Sequence, residues 1–375
     1  MVEAYPAKRL LRLRNCTRIP RLHHHCFFAG ALWFIDSMTG TGKRLVTLTK
    51  IKIALLSFAV LSLICIATLA ALIGYGSRPK PEAMPSIAKG FESVDYSTLP
   101  QTQTLQARDG TRLAYRHYPG DEDCAVLALH GSATEGRSFH ALARELEQEG
   151  VGVYVPDLRG HGESGREGDI PRRGVLENDI EIFIDHITAA RPEAQLSLLG
   201  FSSGGGLALR YAGRHRLPDS SRLVMLAPML GIDSAPYTED NPHARDQEWA
   251  RPFVPRLVGL SILNGLGIHA FDHLPVIAFA VERDNPHVTA TYSHRLLDSL
   301  NPDDHHHLLR NTDVPVTILA GTHDEIFASD HYEQAVRAAR PEARVRLLEG
   351  IGHADMILDP QALERVTGEI AGSSC

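Results

Sequence analysis

The sequence predicts an α/β fold, in which a mostly parallel sheet carries helices on both faces and one apolar helix precedes it. Short, continuous apolar runs recur after residue 100, and such runs are typical of strands that are buried on both faces. Stretches with helical periodicity separate them. This alternation is characteristic of open, mostly parallel sheets, which bind their ligands beyond the carboxyl ends of the strands.

The apolar helix comes first along the chain. Residues 53–76 form an uncharged run of 24 residues, and about 20 apolar residues suffice to cross a bilayer as a helix. A buried core helix rarely stays apolar on every face over this length. The apolar region of a cleaved signal peptide normally spans only about 7–15 residues. The run therefore predicts a single-pass, uncleaved signal anchor that attaches the protein to a membrane.

Charges on the two sides of this run predict its orientation. Basic residues are concentrated before it, at Lys43, Arg44, Lys50 and Lys52, with six more between residues 8 and 21. The basic residues that follow nearby are Arg78, Lys80 and Lys89. Lysine and arginine residues that flank a membrane span are concentrated on its cytoplasmic side. We therefore expect a cytoplasmic N-terminus and an extracytoplasmic remainder, which would be periplasmic in a bacterium.

Composition predicts the boundaries of the other segments. Residues 1–52 are basic, and the first 37 of them resemble either a transit peptide or sequence translated upstream of a true start at Met38. We favour the second interpretation. After the span, the polar and proline-rich beginning of residues 77–99 predicts a tether, and residues 100–372 contain the alternating pattern of the folded domain.

The elements of the folded domain follow in order. Residues 105–119 predict a β-hairpin that turns at Asp109-Gly110. Amphipathic stretches at 138–150 and 175–190 predict helices. The other strands are predicted from the runs AVLALHG (125–131), VGVYVPDLRG (151–160), QLSLLGF (195–201), RLVMLAP (222–228), VPVTILAG (314–321) and ARVRLLEG (343–350).

A candidate nucleophile follows the QLSLLGF strand. The stretch Gly200-Phe201-Ser202-Ser203-Gly204 fits the pattern G-x-S-x-G only when Ser202 is the central serine. In this pattern a strand turns abruptly into a helix, and glycines on either side keep bulk away from the neighbouring backbone. The new helix also directs free N–H groups towards the reacting centre. We expect Ser203 to contribute its N–H and not its hydroxyl.

A serine hydroxyl needs a histidine to take its proton and an acid to orient that histidine. Asp324 follows the strand at 314–321, and His353 follows the strand at 343–350. Together with Ser202 they occur in the order serine, acid, histidine that this architecture requires. Glu325 is a rival acid one position further on, and His323 is interpreted as a loop residue.

An oxyanion hole needs two N–H donors directed at the developing negative charge. The backbone N–H of Ser203 is one candidate, and that of Ser132, in the tight turn His130-Gly131-Ser132, is the other. His130 is expected to support this loop without contacting the substrate.

Two other classes of site are disfavoured. A net charge of −7 argues against a nucleic-acid-binding protein. Residues 303–307 read DDHHH and superficially resemble a metal site, but consecutive histidines on a helix point in different directions and cannot converge on one ion. A solvated helix start is the better interpretation. We therefore expect neither a metal nor a cofactor.

Residues 100–372 resemble the α/β-hydrolase superfamily, and most closely its monoacylglycerol lipase and lysophospholipase branch, which includes serine aminopeptidase-like members. The resemblance lies in HGSATEGRSF (130–139), DLRGHGESG (157–165), GFSSGG (200–205), GTHD (321–324) and GIGHADM (350–356). These lipases commonly have GHSMGG where this chain has GFSSGG. That difference leaves the nucleophile in place and weakens the transfer of substrate preference.

An insertion at about 229–310 interrupts the alternation. Its apolar residues predict one or two short helices, followed by a clearer helix after Asn285-Pro286. The resemblance implies a helical lid that forms an acyl-binding pocket over Ser202. The alternative is that the insertion only packs into the core between strands and forms no lid.

Together these features predict a membrane-anchored serine hydrolase that cleaves carboxylic esters of lipid-like character, such as monoacylglycerols or lysophospholipids. A peptidase or amidase of the same fold is the first alternative, in which Glu239, Asp240 and Glu248 would hold a free amino terminus. A catalytically idle binding module is the second. An intact set of Ser202, Asp324 and His353 argues against the second alternative.

Overall fold

The computed structural model describes residues 41–75, 81–121, 123–238, 240–244, 248–282 and 284–372. Residues 1–40, which include the predicted start at Met38, and residues 76–80 of the predicted span and tether lie outside these ranges. The chain divides into two units after Thr68, and each is described by itself.

The first described helix, α1, runs over Thr41–Gly74. Its segment Val46–Gly74 has a hydropathy of 2.6, none of it is buried in protein, and it is long and apolar enough to cross a membrane. The helix begins before the predicted residue 53 because the preceding residues include lysine, arginine and leucine, which are good helix formers.

An eight-stranded sheet forms the centre of the folded domain, with the strand order β1-β2-β4-β3-β5-β6-β10-β11. These strands are β1 (Gln103–Gln106), β2 (Arg112–Tyr118), β3 (Cys124–Leu129), β4 (Gly152–Pro156), β5 (Gln195–Phe201), β6 (Arg222–Leu226), β10 (Val316–Gly321) and β11 (Arg344–Leu348). Strand β2 is antiparallel to β1 and β4, and the other pairs are parallel. The predicted fold class is confirmed.

Helices cover both faces of this sheet. They include α3 (His140–Gln148), α4 (Val175–Ala190), α5 (Ser203–Ala212), α10 (Tyr332–Arg337) and α11 (Pro360–Ala371). Successive strand residues enter opposite cores: Leu198 packs with α4 and α5, and Leu199 packs with α3 and α11. Because both faces are buried, the inner strands β3, β4, β5, β6 and β10 are largely apolar, as their sequences predicted. The outer strands β1 and β11 are mostly exposed and carry polar or charged residues.

The insertion between β6 and β10 contains strands as well as helices. A small antiparallel sheet joins β7 (Ala250–Pro252), β8 (Pro275–Phe279) and β9 (Thr291–Ser293), and the helices are α6 (Ala235–Thr238), α7 (Val254–Gly265), α8 (His294–Leu300) and α9 (His305–Asn311). The sequence predicted helices only, and the expected helix after Asn285-Pro286 begins after β9 instead. Strands of three to five residues are too short to show a periodicity, and their pairing partners lie far apart in the sequence.

Part of the stretch predicted to be a tether is folded onto the domain. Helix α2 spans Pro85–Glu92, and Met84 and Ile87 are buried, at 2% and 8% exposure. The Met84 N–H donates to the Ala280 carbonyl oxygen at 3.0 Å. The tether prediction is therefore wrong for these residues. Proline at the start of a helix is favourable because its missing N–H is not needed there.

Candidate active site

Ser202 lies at the sharp turn between β5 and α5. Its backbone has φ 55° and ψ −120°, a strained conformation that costs a non-glycine residue about 1–3 kcal/mol and that clusters at functional sites. The turn can close because its neighbours lack side chains. A Cβ at Gly200 would lie 2.4 Å from the Gly204 carbonyl oxygen, and a Cβ at Gly204 would lie 2.2 Å from that of Leu129. These contacts explain why both positions are glycine.

His353 and Asp324 are hydrogen-bonded beyond the ends of two neighbouring strands, β11 and β10. Nδ1 of His353 lies 2.8 Å from Oδ2 of Asp324, and both residues are buried. Because an ionised carboxylate only accepts hydrogen bonds, Nδ1 donates and Nε2 is left as an acceptor. Oδ1 of Asp324 accepts the N–H groups of Ile326 and Phe327, at 2.8 Å each. The carboxylate is therefore held in one orientation.

The rival acid, Glu325, contacts the same histidine at a different atom. Its Oε2 accepts the backbone N–H of His353 at 2.9 Å, whereas Asp324 binds the ring. His323 packs its ring against His243, with 4.6 Å between the ring centroids. The imidazole pairing therefore favours Asp324 over Glu325 as the orienting acid.

Aromatic packing places the His353 ring beside the turn that holds Ser202. The ring centroid of Phe201, the residue before Ser202, lies 4.9 Å from that of His353, and the centroid of Phe327 lies at 5.3 Å. Ser202 is 8% exposed and His353 is 3% exposed. The imidazole is thus shielded from water, and it lies against the ring of the residue that precedes the candidate nucleophile.

The loop after β3 passes directly over the same turn. A Cβ at Gly131 would lie 3.2 Å from the Cβ of Ser202, so the absence of a side chain allows this approach. Oγ of Ser132 donates to Oγ of Ser203 at 2.8 Å, which brings together the two residues predicted for the oxyanion hole. Helix α5 begins at Ser203, whose N–H therefore has no acceptor within the helix.

His130 supports this loop through both of its ring nitrogens. Nδ1 donates to the Gly131 carbonyl oxygen at 2.9 Å, and Nε2 accepts the N–H of Leu158 at 3.0 Å. Burial lowers the pKa of His130, which is consistent with the neutral ring that these two bonds require. Neither nitrogen is left for a substrate.

Sequence reasoning missed Tyr292, a residue of β9 in the insertion. Its hydroxyl accepts the N–H of Ala133 at 2.6 Å and lies 2.6 Å from Nε2 of His161. Nδ1 of His161 donates to the Leu158 carbonyl oxygen at 3.2 Å, so Nε2 accepts the Tyr292 O–H. Burial lowers the pKa of His161 and raises that of Tyr292, so both are neutral near pH 7. The pair fixes Ala133, which has a φ of 63°, immediately after Ser132.

We predict that Tyr292→Phe loosens the loop after β3 that carries Ser132 and Ala133, which is called the oxyanion loop below after its predicted role. Ala133 and His161 each lose a buried hydrogen-bond partner, which lowers the free energy of unfolding by about 1–3 kcal/mol. The Ser132 N–H is then misplaced relative to the developing oxyanion, which lowers kcat about tenfold. Denaturant unfolding and ester hydrolysis measure the two effects.

The control is Tyr118→Phe, because Tyr118 is also fully buried and its hydroxyl bonds His140 Nδ1 at 2.8 Å. This variant is expected to lose stability and to retain kcat. An unchanged kcat in Tyr292→Phe would limit Tyr292 to a structural role.

Other candidates have local partners. The exposed Asp304 accepts the N–H of His307 at 2.9 Å and caps α9, as expected for a solvated helix start, whereas His305 is buried and departs from that expectation. Glu248 pairs with Arg251 at 2.8 Å, Asp240 is exposed, and Glu239 lies outside the described residues. Within the described ranges, no group of three histidine, cysteine or acidic residues is arranged to hold a metal ion.

The family model for serine aminopeptidase, S33, matches residues 120–361. The chain is 24% identical over 158 residues to protein phosphatase methylesterase 1 of Candida albicans, an alignment that covers 38% of this chain and 44% of that protein. It is 30% identical over 125 residues to a monoacylglycerol lipase of Mycolicibacterium smegmatis, covering 32% of this chain and 44% of that protein. The aligned region is less than half the length of each relative.

The fold resembles that of solved α/β hydrolases. One is a soluble variant of monoglyceride lipase from Saccharomyces cerevisiae, in complex with a substrate analogue, with a TM-score of 0.59 and 18% sequence identity. The superposition covers 75% of this chain and 96% of that one. At this level of identity the likeness establishes the fold alone.

Proposed function

This chain belongs to the serine aminopeptidase S33 family of α/β hydrolases, and we propose that it is a serine hydrolase that cleaves carboxylic esters. In this proposal Ser202 is the nucleophile, His353 the general base and acid, and Asp324 the orienting acid. The observation that carries it is the buried Asp324–His353 hydrogen bond of 2.8 Å, which leaves Nε2 of the imidazole as an acceptor beside the strained Ser202 turn.

The proposed reaction proceeds in two steps. Nε2 of His353 takes the proton of Ser202 as Oγ attacks the ester carbonyl carbon, and the N–H groups of Ser132 and Ser203 stabilise the negative oxygen. Collapse of this intermediate breaks the bond to the alcohol, which leaves with the proton from His353. A water molecule then attacks the acyl carbonyl carbon while His353 takes one of its protons. The bond between the acyl carbon and Oγ breaks, the acid is released, and His353 returns the proton to Oγ of Ser202.

The proposed substrates are esters of lipid-like character, such as monoacylglycerols or lysophospholipids. Three findings support this choice: the relative named monoacylglycerol lipase, the apolar insertion that adjoins the oxyanion loop through Tyr292, and the candidate membrane span at Val46–Gly74. We also propose that this span anchors the protein with its N-terminus in the cytoplasm and the hydrolase domain outside it.

Two of the acids that the peptidase alternative would use, Glu248 and Asp240, lie in surroundings that favour ester cleavage over aminopeptidase activity. A site for a free amino terminus needs a carboxylate available to bind it, and the carboxylate of Glu248 is paired with Arg251. Asp240 is exposed to solvent, where a single charge pair contributes little binding energy.

Two substrates distinguish these activities. We expect the full chain in phospholipid nanodiscs to release glycerol from 1-decanoylglycerol and to leave leucine p-nitroanilide intact. Release of nitroaniline without release of glycerol would overturn the assignment in favour of a peptidase. Inactivity on both, by a folded protein that a fluorophosphonate does not label, would favour the idle binding module.

A further inference from the structure

The last residues of the candidate span pack against helix α7 of the insertion. Residues 69–74 belong to the same unit as the folded domain, and Leu69, Leu72 and Ile73 are only partly exposed there. A Cβ at Gly259 of α7 would lie 2.9 Å from Cγ1 of Ile73 and 3.2 Å from Cβ of Leu72. The absence of a side chain at Gly259 therefore allows the end of the span to approach α7 closely.

Arg256 of α7 binds the same end of the span. Its Nε donates to the Ile73 carbonyl oxygen at 2.9 Å. The last four carbonyl oxygens of a helix have no partner within that helix, and the helix dipole favours positive charge beside them. Helix α1 ends at Gly74 and has no basic residue in its last turn. Arg256 therefore supplies both the hydrogen bond and the charge that this helix end lacks.

The same guanidinium also binds the small sheet of the insertion. Nη1 of Arg256 donates to the carbonyl oxygen of Pro275, the first residue of β8, at 2.7 Å. Strand β8 pairs with β9, which carries Tyr292. The Tyr292 hydroxyl in turn accepts the N–H of Ala133 in the oxyanion loop, at 2.6 Å. A series of direct contacts thus joins the end of the span to the oxyanion loop.

We propose that Arg256 is a positioning residue for the reaction. It holds the small sheet against the end of the span, and this sheet holds Tyr292 against the oxyanion loop. The proposal rests on the proposed ester hydrolase function, and it makes the span a support for the active site as well as an anchor. Helix α1 lies outside residues 120–361, which the family model matches, so one side of this contact comes from outside the matched region.

The size of the expected effect follows from the other contacts of the small sheet. The N–H of Ser293 in β9 donates to the Gly168 carbonyl oxygen at 2.8 Å, so loss of Arg256 should displace the sheet without releasing it. We therefore expect Arg256→Ala to lower kcat about threefold, less than Tyr292→Phe does. KM should change little, because the oxyanion contacts form in the transition state and not with the bound ester.

The test is a double-mutant cycle on the hydrolysis of p-nitrophenyl acetate by the full chain in phospholipid nanodiscs. It compares the wild type, Arg256→Ala, Tyr292→Phe and the combination of the two. Once Tyr292→Phe has removed the bond to Ala133, Arg256→Ala should lower kcat no further, because residues that act through one contact are not additive. An unchanged kcat in Arg256→Ala, or the same factor in both backgrounds, would overturn the proposal.

A second pair of variants tests the part played by the span. Gly259→Leu inserts a side chain between α7 and the end of the span and leaves Arg256 in place, and it should lower kcat as Arg256→Ala does. Gly265→Leu is the matched control on the same helix, because a Cβ there would meet nothing within 4 Å, and it should keep the wild-type kcat. A loss in Arg256→Ala with none in Gly259→Leu would refute the supporting role of the span.

Ser202→Ala separates this proposal from the proposed function. If the wild type hydrolyses the ester and Ser202→Ala does not, the hydrolase function stands, and unchanged kinetics in the Arg256 and Gly259 variants then overturn the positioning role alone. If the folded wild type is inactive, or if Ser202→Ala keeps the full activity, the proposed function itself fails.

Discussion

Ser202→Ala is expected to abolish ester hydrolysis, with kcat lower by a factor on the order of 10⁵–10⁶. The substitution removes the only atom that the proposed reaction bonds to the acyl group. Alanine adds no bulk at the turn. Because alanine and serine both have a Cβ, the strain at a φ of 55° is the same in the variant. The fold should therefore persist, and the melting temperature should stay near that of the wild type.

Ser203→Ala is the matched control, because it removes a hydroxyl one residue further along. The proposed role of Ser203 belongs to its backbone N–H, which alanine retains. Loss of the Ser132–Ser203 hydroxyl contact of 2.8 Å should reduce kcat by no more than about tenfold. If Ser203→Ala were the inactive variant and Ser202→Ala the active one, the assignment of the nucleophile would be wrong.

Asp324→Asn should lower kcat by about 10⁴-fold while leaving binding of the substrate largely intact. The two backbone N–H groups of Ile326 and Phe327 already bind Oδ1, and an asparagine oxygen would occupy that position. Its amide NH₂ would then face Nδ1 of His353 and donate to it. The imidazole proton would move to Nε2, which could no longer accept the proton of Ser202.

Glu325→Gln provides the comparison for this prediction. Glu325 accepts the backbone N–H of His353, and the glutamine oxygen can accept the same bond. Its activity should remain within about tenfold of the wild type. Steady-state kinetics on one ester measures both variants, and a larger loss in Glu325→Gln than in Asp324→Asn would reverse the choice of acid.

The central sheet could be predicted because each inner strand can be recognised from its own short stretch of sequence. Each inner strand is a short, largely apolar run because adjacent residues such as Leu198 and Leu199 enter cores on opposite faces. The candidate site could be predicted for a similar reason. Gly200, Ser202 and Gly204 lie within one turn, and Asp324 and His353 each follow a strand whose end is visible in the sequence.

The remaining features depend on contacts between distant parts of the chain. Tyr292 bonds Ala133 across 159 residues of sequence, and nothing around Tyr292 marks it as a partner of the oxyanion loop. Met84 and Ile87 lie in a polar, proline-rich stretch whose composition suggests a tether, and their burial depends on Ala280 and Ala354. The small sheet of β7, β8 and β9 has strands too short to identify without their partners.

The assignment of Ser202 as the nucleophile is tested by covalent labelling of the full chain with a fluorophosphonate, followed by mass spectrometric identification of the modified residue. We expect one labelled serine, Ser202, with labelling lost in Ser202→Ala, retained in Ser203→Ala and strongly slowed in Asp324→Asn. Labelling of Ser203 in its place, or no labelling of a folded wild-type protein, would contradict it.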